Sequence, residues 1–378
     1  MISDDLLARD HLEDDEWAVT PQPEHLVPDP IERQQTRESF LSDLEDDPST
    51  VVLTHTDADG YSSAALVADY CGPDTVVLPV SYHDAYGLRD ALDDLGGEIT
   101  ADTTVYIVDL AANDRHIEAH LLPLEHAGVD VVWYDHHQWD DDTRDAVERA
   151  GVTLVVDEDE CTASLLARDL GRYYDGGGIP ADFDPYLQEL AEMTKDIDLW
   201  IRDDPRSERL NVFATIADHE EYIDTVLSHG VDWPDSIDDR IDERLERDRE
   251  LEQAAIENRT PYDVGGYSVA ITYVRGGRSS QIGNDLVEEL DHDIAIIQKP
   301  HGGIGIYSHS DRETFARCHE VADQLGGGGH PTAAGCETPV ETFRELAKYW
   351  VTRGASVQED LLEAVLAVVN EDGDPDDE

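Results

Sequence analysis

The chain has 378 residues, which is enough for two domains of ordinary size. Hydrophobic residues make up 40% of it, too large a fraction for a disordered chain. Its 88 acidic residues outnumber the 26 basic ones and give a formal net charge of −62, which excludes a basic nucleic-acid-binding surface of the common kind and attraction to anionic membranes.

The acidic excess is spread along the whole chain, and lysine occurs only at Lys195, Lys299 and Lys348. Such a coat is typical of cytoplasmic proteins from organisms that keep molar salt in the cell, such as haloarchaea. At about 1 M salt the Debye length is only ~3 Å, so repulsion between surface charges is screened. Because the first residues lack the basic and apolar regions of a signal peptide, and no apolar run approaches the ~18 residues of a membrane span, we expect a halophilic, cytoplasmic protein with no membrane partner.

Residues 1–45 are predicted to form an acidic arm followed by an amphipathic helix from Ile31 to Leu44. Over residues 46–235, short β-branched runs alternate with helical segments, a pattern typical of strands buried on both faces of a parallel sheet. The predicted strands are Val51–Thr54, Val105–Val108, Val129–Tyr134 and Val152–Val156. The predicted helices are Ser62–Tyr70, Leu88–Leu95, Arg115–Ala127, Asp142–Ala150, Thr162–Tyr173 and Tyr186–Leu199. This alternation predicts an α/β domain with a doubly wound parallel sheet.

A connecting helix is predicted over residues 236–260, because apolar residues recur on one side of it for about three turns. A smaller α/β domain is predicted over residues 261–370, followed by an acidic tail over residues 371–378. Its predicted strands are Tyr267–Val274, Ile294–Gln298 and Gly303–Ser308. Its predicted helices are Ser280–Leu290, Glu313–Leu325, Phe343–Thr352 and Leu361–Asn370.

Three of the predicted strands in the first domain end in polar residues, at the edge where open α/β sheets bind ligands. These residues are His55-Thr56-Asp57-Ala58-Asp59-Gly60 after the first strand, Asp109 after the second and Asp135-His136-His137 after the third. Each segment alone is equally typical of a helix cap, a turn or a polar surface. Together, carboxylates mixed with imidazoles suit Mn²⁺ or Mg²⁺.

The spacing of these carboxylates is compatible with two neighbouring cations. Asp57 and Asp59 can face different cations if the backbone turns sharply, which Gly60 permits. Asp109 from the adjacent strand could then bridge both. Two metals ~3.5–4 Å apart stabilise the attacking and leaving oxygens of an in-line displacement at phosphorus. Backbone N–H groups around Ser62 and Ser63 are expected to add a phosphate site at a helix start.

The ordered set of motifs resembles the DHH phosphoesterase superfamily. It consists of His-x-Asp-x-Asp-Gly, a later strand-end Asp, Asp-His-His and a C-terminal GGGGHPTAAG, and it extends from His55 to Gly335. The superfamily includes RecJ-type exonucleases, nano-RNases that degrade short oligonucleotides, and phosphodiesterases for dinucleotides. The resemblance implies a catalytic DHH domain joined by a helix to a smaller DHH-associated domain.

The resemblance also implies roles for individual residues. One Mn²⁺ would be held by His55, Asp57 and Asp109, and a second by Asp59, Asp109 and His136, with Mg²⁺ as the alternative metal. His137 would face the substrate phosphate as a catalytic residue, and Asp135 would orient its neighbours. A fourth motif would add Asp196 as a metal ligand, because Trp200 then follows at the superfamily's usual distance. Asp198 is the alternative ligand.

In the second domain, Gly327-Gly328-Gly329-His330 resembles the superfamily's substrate-holding loop, whose backbone N–H groups approach a phosphate or a ribose. Ser280 is expected to line the same cleft. Many relatives carry an arginine where this chain has His309. Either Arg278 or Arg312 replaces that arginine, or the substrate is recognised differently.

We therefore predict a Mn²⁺-dependent phosphodiesterase that hydrolyses short oligonucleotides or dinucleotides by a two-metal mechanism, with a homodimer left open. The alternative is a RecJ-like single-strand exonuclease with replication or repair partners, which is less favoured because the sequence shows no aromatic and basic stripe for stacking a long strand. A non-catalytic scaffold subunit of a replication complex is also less favoured, since every expected ligand position carries a competent residue.

Lowering the salt concentration is expected to destabilise the protein. With 88 acidic and 26 basic residues, a fall to ~0.05 M salt lengthens the Debye length several-fold and exposes like-charge repulsion. We expect the melting temperature and the activity to fall below roughly 0.5 M KCl. Thermal unfolding followed by circular dichroism across a KCl series measures this, and a melting temperature that is independent of salt would contradict the halophilic interpretation.

Overall fold

The structure is a computed structural model. It describes residues 29–45, 47–80, 86–112, 115–173, 185–300, 302–309, 315–340 and 342–371. The acidic arm before residue 29, Arg312 and the acidic tail after residue 371 lie outside these ranges. The contacts define two compact units, and the division between Arg244 and Leu245 falls inside a long helix.

A single parallel sheet forms the centre of the first unit, residues 28–244. Its five strands have the order β2-β1-β3-β4-β5, and each neighbouring pair is parallel. They are β1 (Thr50–Thr54), β2 (Thr75–Pro79), β3 (Thr104–Val108), β4 (Asp130–Asp135) and β5 (Thr153–Val156). The predicted parallel sheet is confirmed with its four predicted strands, and β2 at one edge is an addition.

Helices cover both faces of this sheet. Val51 and Leu53 of β1 belong to a core cluster with residues of α1, α3, α4 and α5, whereas Val52, which is also fully buried, points to the opposite face because successive strand residues alternate. The helices are α1 (Asp29–Asp43), α2 (Ala58–Cys71), α3 (Leu88–Glu98), α4 (Glu118–Ala127), α5 (Asp141–Arg149), α6 (Thr162–Tyr173), α7 (Pro185–Asp198), α8 (Pro205–Ile216), α9 (His219–His229) and α10 (Asp235–Glu257), with a 3₁₀ turn at Arg115–Ile117.

Helices α8 and α9 were not predicted from the sequence, although both begin at recognisable caps. Asp204 accepts a hydrogen bond from the backbone N–H of Arg206 and precedes Pro205, the first residue of α8. Asp218 accepts one from Glu221 at the start of α9. Such caps satisfy N–H groups that have no partner within the helix.

The second unit, described over residues 245–371, contains a six-stranded mixed sheet in the order β10-β11-β9-β8-β7-β6. Its strands are β6 (Thr260–Val264), β7 (Tyr267–Tyr273), β8 (Ile294–Gln298), β9 (Gly303–Ser308), β10 (Gly328–Gly329) and β11 (Ala333–Glu337). Strands β7 and β8 are parallel, and the other pairs are antiparallel. The three predicted strands are present, and β6, β10 and β11 are additions.

The helices of the second unit are α11 (Ser279–Asn284), which continues as a π-helical turn at Asp285–Glu289, α12 (Cys318–Asp323), α13 (Phe343–Thr352) and α14 (Gln358–Glu371), with a 3₁₀ turn at Ala355–Val357. Helix α12 begins at Cys318, whose backbone N–H donates to the Pro331 carbonyl at 2.8 Å, and the predicted start at Glu313 lies outside the described residues. Within the described ranges, none of the helices combines the length and the apolar character that crossing a membrane requires.

The glycine run forms one arm of a tight hairpin between β10 and β11, with Gly328 opposite Gly335 and Gly329 opposite Ala334. A Cβ atom on Gly329, where φ is +140°, would lie 2.6 Å from Ala334 Cα. A Cβ atom on Gly327 would lie 2.2 Å from the Gly335 carbonyl oxygen, whereas one on Gly328 would meet nothing within 4 Å. Glycine at positions 327 and 329 therefore permits the close approach of the two strands.

Two alanine substitutions in this run are expected to differ in stability. Gly329→Ala introduces a clash and disfavours the backbone angle, so we expect a loss of about 1–3 kcal/mol in the free energy of unfolding. Gly328→Ala adds a methyl group in open space, and we expect a change within about 0.5 kcal/mol. Denaturant unfolding in high salt measures both, and equal losses would contradict the pairing described for β10.

Candidate metal centre

The polar segments that follow β1, β3 and β4 meet at the carboxyl edge of the parallel sheet. The strand order changes direction between β1 and β3, which is the point where open α/β sheets bind ligands. Three overlapping groups of side chains have ligand atoms within 4.8 Å of one another. These groups are His55, Asp57 and Asp109; Asp109, His136 and His137; and Asp59, His136 and Asp198.

Asp109 lies at the centre of this arrangement and is 1% exposed. Its Oδ1 is 3.4 Å from His136 Nε2, and its Oδ2 is 3.7 Å from His55 Nδ1. Its φ of +58° is uncommon for a residue other than glycine, and such strain concentrates at functional sites. Oδ2 accepts no hydrogen bond from any residue that the structure describes. A buried carboxylate oxygen without a donor fits a bound cation.

The carboxylates of the cluster carry more negative charge than the surrounding groups compensate. Burial, followed by the charges of Asp59 and Asp57, raises the pKa of Asp109 well above its usual range. The same causes raise the pKa of Asp198 to about 7. Divalent cations would supply the missing positive charge, and a donor set of carboxylates and imidazoles fits Mn²⁺ or Mg²⁺.

Asp57 caps α2 and contacts His55. It accepts the backbone N–H of Gly60 at 3.0 Å, and its Oδ2 is 2.8 Å from His55 Nδ1. The surrounding protein disfavours the charge on Asp57, but these bonds outweigh that effect and lower its pKa to about 2. Gly60 lies within the first turn of α2, where a Cβ atom would lie 2.3 Å from the His55 carbonyl oxygen. Glycine is thus needed here for close approach, and not for the sharp turn that the sequence suggested.

The expected phosphate site at Ser62 and Ser63 is not at a helix start. Helix α2 begins at Ala58, so the backbone N–H groups of both serines lie inside the helix. The Ser62 hydroxyl is 2.8 Å from the Tyr222 hydroxyl and accepts a hydrogen bond from Thr194 at 2.9 Å. Ser62 therefore connects α2 to α7 and α9.

Asp59 is held by the start of α6. Its two carboxylate oxygens accept the backbone N–H groups of Thr162 and Ala163 at 2.7 and 2.8 Å. The free N–H groups of a helix start favour a carboxylate. The start of this helix was predicted from the sequence, but its contact with Asp59 was not.

Asp135 is fully buried and contacts two side chains on its own segment. It accepts a hydrogen bond from Trp139 Nε1 at 2.6 Å, and its Oδ1 is 2.7 Å from His137 Nδ1. The bond to Asp135 raises the pKa of His137. This is the contact that an orienting role for Asp135 requires, and the contribution of Trp139 was not predicted.

Of the two candidates in the fourth motif, Asp198 reaches the cluster and Asp196 does not. Asp198 Oδ2 lies 3.5 Å from His136 Nε2. The Asp196 carboxylate instead accepts three hydrogen bonds, at 2.9, 3.2 and 2.6 Å, from the backbone N–H groups of Asp203 and Asp204 and the hydroxyl of Ser207. Residues two apart on a helix point about 200° from each other, so only one of the pair can face the site. Of the two, only Asp198, the alternative candidate, therefore lies in the cluster, and Asp196 lies outside it.

Comparison with known proteins agrees with this architecture, although no protein-family model matches the chain. The oligoribonuclease NrnB of Bacillus subtilis (strain 168) is 23% identical over 314 residues, which are 77% of this chain and 73% of that protein. The solved DHH domain of a protein described as a member of a ribosomal-protein family has a TM-score of 0.52 at 16% identity, and the match covers 85% of this chain and 89% of that domain. The chain has a DHH-type fold. A RecJ exonuclease bound to manganese gives a TM-score of 0.49 at 16% identity, with coverage of 89% and 94%.

The residues predicted to bind substrate lie in the second unit of the chain. Ser280 is half-buried in α11, and His330 is exposed after β10. His309 is 4% exposed, and its Nδ1 lies 2.8 Å from Glu288 Oε1. Arg278 contacts the buried carboxylate of Glu252 at 2.9 Å.

The effect of Mn²⁺ on the melting temperature should distinguish the role of Asp109 from that of Asp196. Asp109→Asn keeps a residue that tolerates a positive φ and removes a buried charge. We expect its melting temperature without metal to be equal to or above that of wild type, and the increase on adding Mn²⁺ to be lost.

Asp196→Ala is the matched control, because it removes an acceptor of three hydrogen bonds outside the cluster. We expect a loss of about 1–3 kcal/mol in stability with the Mn²⁺-induced increase retained. Differential scanning fluorimetry in molar KCl, with and without EDTA, measures both variants. If the Mn²⁺-induced increase were lost in Asp196→Ala and retained in Asp109→Asn, Asp196 would be the ligand.

Proposed function

We propose that the chain is a divalent-metal-dependent phosphodiesterase of the DHH superfamily that hydrolyses dinucleotides or short oligonucleotides with two Mn²⁺ or Mg²⁺ ions. The observation that supports this most is the position of the buried Asp109 carboxylate, whose Oδ1 lies 3.4 Å from His136 Nε2 and whose Oδ2 lies 3.7 Å from His55 Nδ1. A shared carboxylate is what two adjacent cations need. The relative NrnB is by name an oligoribonuclease, which favours short nucleic-acid substrates.

In this proposal each cation has its own set of ligands around Asp109. The first set is His55 and Asp57 with Asp109, and the second is Asp59, His136 and Asp198 with Asp109. When bound, the cations would stabilise negative charge on the attacking and leaving oxygens of an in-line displacement at phosphorus. The protein contributes a fixed framework, since Asp57 and Asp59 are already held by backbone N–H groups.

His137 is the residue proposed to contact the substrate phosphate. Asp135 holds its Nδ1, while the side chain remains 39% exposed. Because Asp135 raises the pKa of His137, protonation of the ring is favoured, and its Nε2–H can donate to a phosphate oxygen. A charge-assisted donor of this kind stabilises charge that develops in the transition state.

Removing Asp109 should abolish hydrolysis. We expect Asp109→Ala to lower the turnover of a dinucleotide by more than about tenfold, equivalent to more than ~1.4 kcal/mol in the barrier. The matched control is Asp141→Ala, which changes an exposed aspartate at the start of α5 and should keep wild-type turnover. Product formation in molar KCl with Mn²⁺, and with EDTA as the metal-free reference, measures this. Retention of more than a tenth of the turnover in Asp109→Ala would reject the two-metal assignment.

A substrate series tests the preference for short substrates. We expect dinucleotides and short RNA to be hydrolysed with higher kcat/KM than long single-stranded DNA, because a chain with 26 basic residues against 88 acidic ones offers little attraction to a long polyanion. Faster, processive degradation of the long strand would favour the RecJ-like alternative.

A further inference from the structure

An exposed aromatic and cationic pair follows the last turn of α7. Trp200 is 56% exposed, and it is the sole exposed tryptophan among the residues that the structure describes. The guanidinium carbon of Arg202 lies 4.0 Å from the centroid of the indole ring. An arginine at this distance from the ring face makes a cation–π contact, which holds the indole in one orientation.

The backbone of this pair is strained. Trp200 and Arg202 both have a φ of +57°, a conformation that L-residues with a side chain rarely adopt. Strain of this kind persists when neighbouring contacts fix it, and it concentrates at ligand sites. Burial of apolar side chains does not account for this strain, since Trp200 and Ile201 are exposed and contribute little to the core.

Asp196 is the residue that fixes this segment. The backbone N–H of Arg202 donates to the Asp196 carbonyl at 3.0 Å, and the N–H groups of Asp203 and Asp204 donate to its carboxylate. Asp196 therefore holds the strained turn that presents the indole to solvent.

The pair also lies next to the candidate metal centre and in the same unit. Asp198 contacts His136 at 3.5 Å, and Trp200 follows two residues later. Consecutive Cα atoms are 3.8 Å apart, so the Cα atom of Trp200 lies within about 7.6 Å of that of Asp198. This distance is of the order of one nucleotide.

We propose that Trp200 and Arg202 form a stacking platform for a nucleobase of the substrate whose phosphate lies at the metal centre. This inference rests on the proposed function and names the part of the substrate that the site recognises. Arg202 covers one face of the indole, and the other face receives the base. Base–aromatic stacking is sequence-tolerant because every base has a π-face, so the platform selects nucleotides over simple phosphodiesters without selecting a particular base.

Fluorescence tests the platform independently of hydrolysis. With the full chain in molar KCl and Mg²⁺, AMP should quench tryptophan fluorescence, whereas ribose 5-phosphate, which lacks the base, should not. Because the chain has 6 tryptophans, Trp200→Phe identifies the origin of the signal and should remove the quenching. Absence of quenching by AMP, or its persistence in Trp200→Phe, would overturn the proposal.

Kinetics test whether the platform acts in the reaction. We expect Trp200→Ala to raise KM for a dinucleotide by roughly 5- to 100-fold, the range given by the loss of one stacked base, and Trp200→Phe to restore most of the affinity. On an abasic dinucleotide, which keeps the phosphodiester and both sugars but has no aromatic ring, both variants should remain within about threefold of wild type. Ile201→Ala, an exposed apolar residue on the same segment, is the matched control and should leave both substrates unaffected.

Two outcomes separate this inference from the proposed function. If wild type hydrolyses neither substrate, the proposed function fails, while quenching by AMP still decides the platform. If Trp200→Ala loses activity equally on both substrates, the segment only positions Asp198 and the platform is rejected. Trp200→Gly lacks the ring but accepts the positive φ, so it replaces Trp200→Ala if that variant does not fold and should show the same rise in KM.

Discussion

The concentration of negative charge around Asp109 is the constraint on which the rest of the first unit depends. Two unit charges 4 Å apart interact by about 4 kcal/mol at an effective dielectric constant of 20, and four carboxylates meet at this edge of the sheet. The fold holds two of them with backbone N–H groups, at the start of α2 for Asp57 and at the start of α6 for Asp59. Asp109 and Asp198 have raised pKa values, which is the electrostatic reason for a cation at this position.

Helix α9, which was not predicted from the sequence, helps to position Asp198 of the cluster. Tyr222 of α9 is fully buried, and its hydroxyl joins that of Ser62 in α2, which in turn accepts a hydrogen bond from Thr194 in α7. This chain of hydroxyls fixes α7 relative to α2, so that Asp198 at the end of α7 faces the residues at the start of α2. Satisfied buried polar groups of this kind specify one arrangement of packed helices.

Sequence patterns were sufficient to predict the strands that bury apolar residues on both faces of the parallel sheet. The runs around Val52, Val105 and Val132 are continuous and β-branched, and the polar residues after them had to meet at one edge. Strand β2 was missed because it lies at the edge of the sheet and is half-buried, and the choice between Asp196 and Asp198 was open because it depends on the rotation of α7. The glycine run suggested contact with a substrate, whereas close pairing of Gly329 with Ala334 is a local reason for the same residues.

The net charge of −62 constrains how such a site can recognise a nucleotide. Proteins that bind long nucleic acids gain affinity from each phosphate that a basic residue neutralises, and this gain falls steeply with salt. Stacking on an aromatic ring and coordination of one phosphate by cations depend far less on a basic surface. Both contacts involve only the nucleotide at the site, so lengthening the substrate adds little affinity. A protein that binds in this way gains no contacts from a long strand, and its acidic coat repels the additional phosphates, so it favours a substrate of a few nucleotides.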